Sequence, residues 1–261
     1  MNEFHRSRIG RAFAAARDYD HYARVQHEVA RSLAGRILAY RLPISPRVLE
    51  IGCGTGFLTE SLADRGLGGD WLVTDLSSAM VERTRHRLSS ITHEHRHLRF
   101  AEFDGEYDVP PGMGQFDLVC SSLAMQWFDD LEGAIGRMLD WLQPGGLLAF
   151  TTLASGTFAE WRKAHADEGL IAGTPEYPSV AELATMVPQH QAAPHEVEMH
   201  VERHACARSY LRALKAIGAC TAACDHQPLP AGAMRRVMRR FEEGGCKATY
   251  EVVTCFYRRA A

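Results

Sequence analysis

The sequence predicts an α/β fold, a doubly wound and mostly parallel sheet with helical and late β-strand additions. Two observations predict it. From residue 47 to residue 153, short apolar runs of strand length alternate with segments of helical periodicity, the order that packs helices on both faces of a parallel sheet. Between the first run and the first such helix lies Gly52-Cys53-Gly54-Thr55-Gly56, a glycine turn of the kind that lets a strand reverse tightly into a helix.

The elements follow in order. Tyr22, Val25, Val29, Leu33, Ile37 and Leu38 recur at helical spacing over residues 18–40, and Pro43 and Pro46 stop the pattern. Arg47–Ile51 is the first strand, and Leu58, Leu62 and Ala63 give the helix after the glycine turn. Residues 71–74 form a second strand, Ser78–Leu88 a helix, 98–102 a third strand and 116–121 a fourth. A helix over 131–142 ends at Pro144-Gly145-Gly146, and 147–153 is the fifth strand. Beyond it, helices are expected at 158–169, 179–186, 209–217 and Ala231–Glu243. Strands are expected at 196–205 and at 248–258, the latter rich in Thr, Val, Tyr and Phe. There is no internal repeat and no low-complexity linker. The expected organisation is an N-terminal helical lid (1–45), an α/β core (46–153), and a C-terminal substrate-side appendage that adds the last strands to the same sheet (154–261).

Bulk properties exclude several partners. At 46% hydrophobic and 23% charged residues with a formal charge of −3, the chain has no general electrostatic grip on nucleic acid or anionic membrane. Residues 1–11 mix His, Arg and Glu without the apolar run of a secretory signal. No stretch approaches the roughly 18 consecutive apolar residues of a membrane span. Seven scattered cysteines, an odd number, point to free thiols in a reducing compartment, and a cytoplasmic protein is expected.

The glycine turn is a cradle in which a ligand can approach the backbone where any Cβ would collide. A dinucleotide site would call for G-x-G-x-x-G. Here the third Gly comes one residue early and Glu50 precedes the turn, so no pyrophosphate is required. Glu50 would repel a phosphate but accept hydrogen bonds from a cationic amino-acid group. Asp75 closes the second strand about 20 residues on, the place of a carboxylate that binds ribose hydroxyls. Asp104 follows the third strand and suits an adenine amino group. Three acidic strand ends and a glycine turn make a site for a cationic nucleoside.

Glu50-Ile51-Gly52-Cys53-Gly54-Thr55-Gly56, with Asp75 and Asp104 in register, resembles the E/D-x-G-x-G-x-G pattern of the class I methyltransferases over residues 47–153. The resemblance implies a Rossmann-like fold and S-adenosylmethionine as cofactor. The binding set it implies comprises Glu50, Gly52, Cys53, Gly54 and Gly56 at the turn, and Asp75, Leu76 and Met80 after the second strand. Asp104, Gly105, Ser121 and Gln126 complete it. Met80 fits either packing on the adenine or the core, and Ser121 either presents its backbone to the methionine moiety or ends its strand.

Further segments narrow the resemblance: Tyr19-Asp20-His21-Tyr22-Ala23-Arg24-Val25-Gln26, Ser121-Ser122-Leu123-Ala124-Met125-Gln126-Trp127-Phe128, and Ser209-Tyr210-Leu211-Arg212-Ala213-Leu214-Lys215-Ala216-Ile217-Gly218-Ala219 with Thr249-Tyr250-Glu251-Val252. Together these are similar to the malonyl-[acyl-carrier protein] O-methyltransferases of biotin synthesis. The family's usual Asn after Lys-x-Ile-Gly-Ala is replaced here by Cys220-Thr221. The resemblance implies methylation of the free carboxylate of a malonyl thioester, carried on acyl-carrier protein or coenzyme A. A carboxylate is already ionised at neutral pH, so no catalytic His is needed. The enzyme must supply alignment, a dry pocket, a hydroxyl and a cation.

Tyr19 is the candidate hydroxyl, on a helix the resemblance implies folds over the cofactor; otherwise it is a packing aromatic. Arg137, Arg212 and Lys215 are candidates to hold the malonyl carboxylate, or are solvated helix charges. Arg235, Arg236, Arg239 and Arg240 suit an acidic carrier protein or coenzyme A phosphates, or again a solvated face. His93, His95 and His97, and Cys220, Cys224 and His226, mimic metal ligands but lack a completing partner, so no metal is expected. Two other functions remain open, methylation of a different small molecule or carboxylic acid and non-catalytic binding of S-adenosylmethionine.

Overall fold

A computed structural model describes residues 3–16, 18–89, 96–111, 114–219 and 227–260. The chain opens with helices α1 (Glu3–Ala14), α2 (Tyr19–Tyr22) and α3 (Arg24–Ile37). Alternation follows: β1 (Arg47–Ile51), α4 (Phe57–Asp64), β2 (Gly69–Asp75), α5 (Ser78–Leu88), β3 (Arg96–Glu102), β4 (Phe116–Ser122), α6 (Leu131–Trp141) and β5 (Leu142–Leu153). The last part holds α7 (Ala159–Ala166), α8 (Val180–Thr185), β6 (Glu196–Arg203), α9 (Ala207–Ala216), α10 (Ala231–Glu243) and β7 (Lys247–Arg258). No helix among the described residues is long and apolar enough to cross a membrane.

The strands form one seven-stranded sheet in the order β3-β2-β1-β4-β5-β7-β6. Strands β1 to β5 pair in parallel. The order reverses between β1 and β4, and in open α/β sheets the crevice beyond the strand ends at such a reversal is where ligands bind. Glu50 faces Val73 on one side and Cys120 on the other, so β1 carries its carboxylate to that point.

The chain divides into two compact units, each assembled from separate stretches of sequence. One comprises residues 23–152, 182–196 and 253–261. Its core joins Ala30, Leu33, Ala34 and Ile37 of α3 to Val48, Trp71, Val73, Leu118 and Leu147 of the sheet, all buried. The three- and four-residue spacing of those α3 positions makes one apolar face, and burying each large aliphatic contributes about 1.5–3 kcal/mol. Residues 1–22, 153–181 and 197–252 make up the other unit, whose centre is aromatic. Trp161 and Tyr210 lie 5.2 and 4.9 Å from the Phe241 ring, and Phe158 lies 4.9 Å from Tyr250. Here α2 and α10 each lie against α9.

Three elements differ from expectation. The helix over 18–40 is interrupted at Ala23 (φ −91°, ψ 42°). Tyr22 and Val25 keep helical spacing across the break, so the pattern hides it. α1 was not foreseen, because its mixed polar sequence has a weak apolar stripe. The fifth strand starts at Leu142, directly after α6, with the pairing jumping from Phe116–Leu142 to Leu118–Leu147. Pro144-Gly145-Gly146 therefore forms a bulge within the strand rather than a loop before it, fixed by a Gly145 amide bond to Arg259 O at 3.0 Å.

Candidate functional site

The site is built from the carboxyl ends of four strands in the sheet unit. Glu50 is the penultimate residue of β1 and is 1% exposed. Thr59, on the first turn of α4, donates its hydroxyl to Glu50 Oε2 at 2.7 Å, and Thr74 of β2 donates to Glu50 O at 2.6 Å. Burial pushes the Glu50 carboxyl up to about 7, against the opposing Thr59 hydrogen bonds and with the help of the Asp75 charge.

The glycine turn needs its glycines for two different reasons. A Cβ on Gly52 (φ +68°) would lie 2.3 Å from Ala124 Cβ, whereas one on Gly54 (φ +56°) would meet nothing within 4 Å. Gly52 lets the turn approach the segment after β4, and Gly54 lines open space. Cys53 between them is buried, its amide bonded to Thr74 O at 2.8 Å and its thiol pushed well up by burial. Gly56 begins α4, with the Thr84 side chain against its open face.

Asp75 ties the two turns together. Its Oδ2 accepts from the Gly54 amide at 2.9 Å and its Oδ1 from the Ser77 amide at 2.8 Å. Desolvation pushes the carboxyl up to about 6, with the two amides pulling the other way. Leu76 is half-buried and Met80 fully buried. Thr84 of α5 donates to Gly54 O at 2.9 Å.

Beyond β3, half-buried Asp104 accepts from the Glu106 amide at 3.0 Å, and Gly105 backs onto Ile51. Glu106, 2% exposed, was missed from the sequence. Its Oε1 accepts from the Asp129 and Asp130 amides, each at 2.8 Å, which pins the segment after β4 to the segment after β3. Leu123 in that segment holds φ +49°, an uncommon conformation for a residue with a Cβ, and its amide is fixed by Thr151 Oγ1 at 3.0 Å. Gln126 donates to Leu123 O at 2.6 Å. Gln126 Oε1 and Ser121 Oγ are buried without a hydrogen-bond partner, acceptor capacity that a polar ligand can satisfy.

The sequence thus placed Glu50, the glycines, Asp75, Asp104, Ser121 and Gln126 in one unit, and the fold brings their strand ends to one edge. Thr59 and Glu106 escaped because each acts through a tertiary hydrogen bond that leaves no local pattern. Arg137 lies on α6 in the same unit, 3.8 Å from Asp130 Oδ2 and 6.0 Å from the Tyr107 ring centroid, with Nε and Nη2 buried and unbonded. Tyr19, Arg212 and Lys215 belong to the other unit. Tyr19 on α2 is half-buried with its ring 6.5 Å from Phe13, and Arg212 and Lys215 are exposed on the neighbouring α9. Of the α10 arginines, Arg236 and Arg240 grip Glu168 at 2.8 and 2.9 Å, and Arg239 and Arg240 face Glu243 at 3.8 and 3.2 Å. His93, His95, Cys220, Cys224 and His226 lie outside the described residues.

Buried Glu50 and half-buried Asp75, both of raised pKa, beside an open glycine cradle suit a ligand that carries positive charge, since a cation nearby favours the ionised form of both. Comparison with known proteins agrees with this chemistry. Residues 48–146 match the methyltransferase domain family. The chain is 41% identical to the malonyl-[acyl-carrier protein] O-methyltransferase of Magnetococcus marinus over 97% of its length and 93% of that protein's. It is 44% identical, over 93% of its length, to the biotin biosynthesis bifunctional protein BioCD of Bordetella avium, of which it spans 50%. A solved methyltransferase candidate from Bacillus halodurans shares the fold with a TM-score of 0.61 at 12% identity, covering 88% of this chain and 99% of that one.

Proposed function

Since the chain belongs to the malonyl-[acyl-carrier protein] O-methyltransferase family, we propose that it moves the methyl group of S-adenosylmethionine onto the free carboxylate of a malonyl thioester, an early step of biotin synthesis. The single observation that carries the cofactor half is the link from the Gly54 amide to Asp75 beside buried Glu50. It joins an open backbone cradle to two carboxyls suited to a cationic amino acid and a ribose.

The residues present fit the cofactor. Glu50 would hold the ammonium of the methionine part, Asp75 the ribose hydroxyls and Asp104 the adenine amino group. Ser121 Oγ and Gln126 Oε1, buried and unbonded, supply acceptors beside them. When bound, S-adenosylmethionine would supply a methyl group on a sulfonium sulfur, open to attack by an ionised carboxylate without a general base and with the neutral thioether as leaving group. The protein is left with orientation and exclusion of water, the two effects that align nucleophile and leaving group.

On the acceptor side, Arg137, with two unbonded buried nitrogens, is the candidate cation of the sheet unit, and the family resemblance gives Tyr19 the role of the hydroxyl. The acceptor is a malonyl group on acyl-carrier protein or coenzyme A. The free Cys53, Cys120, Cys206, Cys246 and Cys255 support a cytoplasmic setting.

The test is the chemical nature of the product. Radiolabel transferred from S-adenosylmethionine to malonyl-carrier protein should be released as methanol by mild alkali, as a methyl ester requires. Alkali-stable label would mean methylation at nitrogen or carbon and would reject the proposal.

A further inference from the structure

We propose that the exposed face of α9 is the docking surface for the acidic carrier protein that delivers the acceptor, an inference that rests on the function proposed above. Arg208, Arg212 and Lys215 fall at positions i, i+4 and i+7 of α9 and are all exposed. Ala207, Tyr210 and Ala213 on the opposite face are buried. The helix contains no acidic residue, and among the described residues none of the three cations is in an ion pair.

The adjacent helix shows what a self-neutralised face looks like. On α10, Arg236 and Arg240 close on Glu168, and Arg239 on Glu243. Three of the four α10 arginines, Arg236, Arg239 and Arg240, are therefore committed to carboxylates within the chain, Arg235 donating only to Ala231 O of its own helix, whereas among the described residues no cation of the α9 stripe meets a carboxylate on a protein whose formal charge is −3. Arg208 also stands in the first turn of α9, where the helix dipole disfavours a cation and where Glu242 Oε1 accepts from the Ala207 amide at 3.0 Å. A basic residue held at a position unfavourable to its own helix, in line with two more, is complementary to a polyanionic protein surface.

The stripe also relocates two residues. Arg212 and Lys215 are too exposed to hold a small carboxylate in a dry pocket, but they suit a wet, charge-steered protein contact. α9 lies against α2, the helix that carries Tyr19, so a carrier seated on α9 is beside the proposed acceptor-side hydroxyl. The other possible source of negative charge, the phosphates of coenzyme A, is an arm of the test.

The experiment measures binding of holo-acyl-carrier protein without turnover, alongside methyl transfer to malonyl-carrier protein, malonyl-coenzyme A and malonyl-pantetheine. Arg208→Glu removes the first-turn cation, so α9 is expected to fold at least as well. It should weaken carrier binding roughly tenfold, blunt its salt dependence and raise the KM for malonyl-carrier protein. The kcat and the KM for malonyl-pantetheine should hold, and Arg208→Lys should restore binding. Carrier binding unaffected by Arg208→Glu, an equal loss with malonyl-pantetheine, or a loss confined to coenzyme A would each overturn the docking surface. If wild-type protein binds the carrier through Arg208 yet transfers no methyl, the docking surface stands and the proposed reaction fails. If it transfers methyl while carrier binding is independent of Arg208, the reaction stands and the docking surface fails.

Discussion

The Gly54 amide donates to Asp75 Oδ2 at 2.9 Å, so one carboxylate holds the glycine turn and the start of α5 in a fixed relation. Asp75 spends one oxygen on each neighbouring turn. The cradle is therefore shaped before any ligand arrives, which lowers the ordering cost of binding.

Gly52→Ala and Gly54→Ala should separate folding from binding. Both positions have positive φ, at a cost of about 1–2 kcal/mol for an L side chain. Gly54→Ala adds no clash, so denaturant unfolding should show roughly that loss while S-adenosylmethionine affinity falls steeply, because the new methyl fills the cradle. Gly52→Ala places a Cβ 2.3 Å from Ala124 Cβ and should lose clearly more stability. Equal cofactor affinity in Gly54→Ala and wild type would contradict this assignment.

Cofactor binding should release protons near pH 6. Burial raises Glu50 from 4.5 to about 7 and Asp75 from 3.8 to about 6. Over that window the folded ligand-free protein holds protons that the unfolded chain has lost, so its stability falls as pH rises from about 4 to about 7 and then levels off. A cationic ligand favours the ionised carboxylates, so it expels those protons and binds more tightly as pH rises through the same window. Calorimetry in buffers of different ionisation heat reads the proton count, and no release at pH 6 would count against cationic recognition.

Thr59→Val removes the hydroxyl that Glu50 accepts at 2.7 Å. Loss of a hydrogen bond to a buried carboxyl costs about 1–3 kcal/mol and lets the Glu50 pKa climb further. Cofactor affinity should drop more at pH 6 than at pH 8, and a pH-independent loss would mean that Thr59 acts only through packing.

Glu106→Ala strands the Asp129 and Asp130 amides that share its Oε1. A stability loss of about 1–3 kcal/mol is expected, with faster amide exchange concentrated in residues 123–130, next to Gln126. Unchanged exchange there would show that other contacts fix the segment.

Much of this was legible in the sequence, for reasons the fold makes plain. β1 reads as an apolar run interrupted only by Glu50 because Val48, Leu49, Glu50 and Ile51 are buried inside a parallel sheet, and α5 is bounded as the spacing predicts, Ser78–Leu88. The glycine turn and the acidic strand ends are local features, and locality is what a sequence displays. Contacts between distant segments are not displayed. Phe13 packs where a Cβ on Gly218 would stand, 2.9 Å from Phe13 Cδ1, yet no periodicity links residue 13 to residue 218. The assembly of each unit from separate stretches, the anchoring by Thr59 and Glu106, and the capture of Arg236 and Arg240 by Glu168 all belong to that class.

The most direct measurement is methyl transfer from labelled S-adenosylmethionine to malonyl-carrier protein beside acetyl-carrier protein, which lacks only the free carboxylate. Carboxylate methylation predicts label on the malonyl carrier and none on the acetyl carrier. Label on both, or on neither while the cofactor still binds, would contradict it and leave a methyltransferase fold in search of another acceptor.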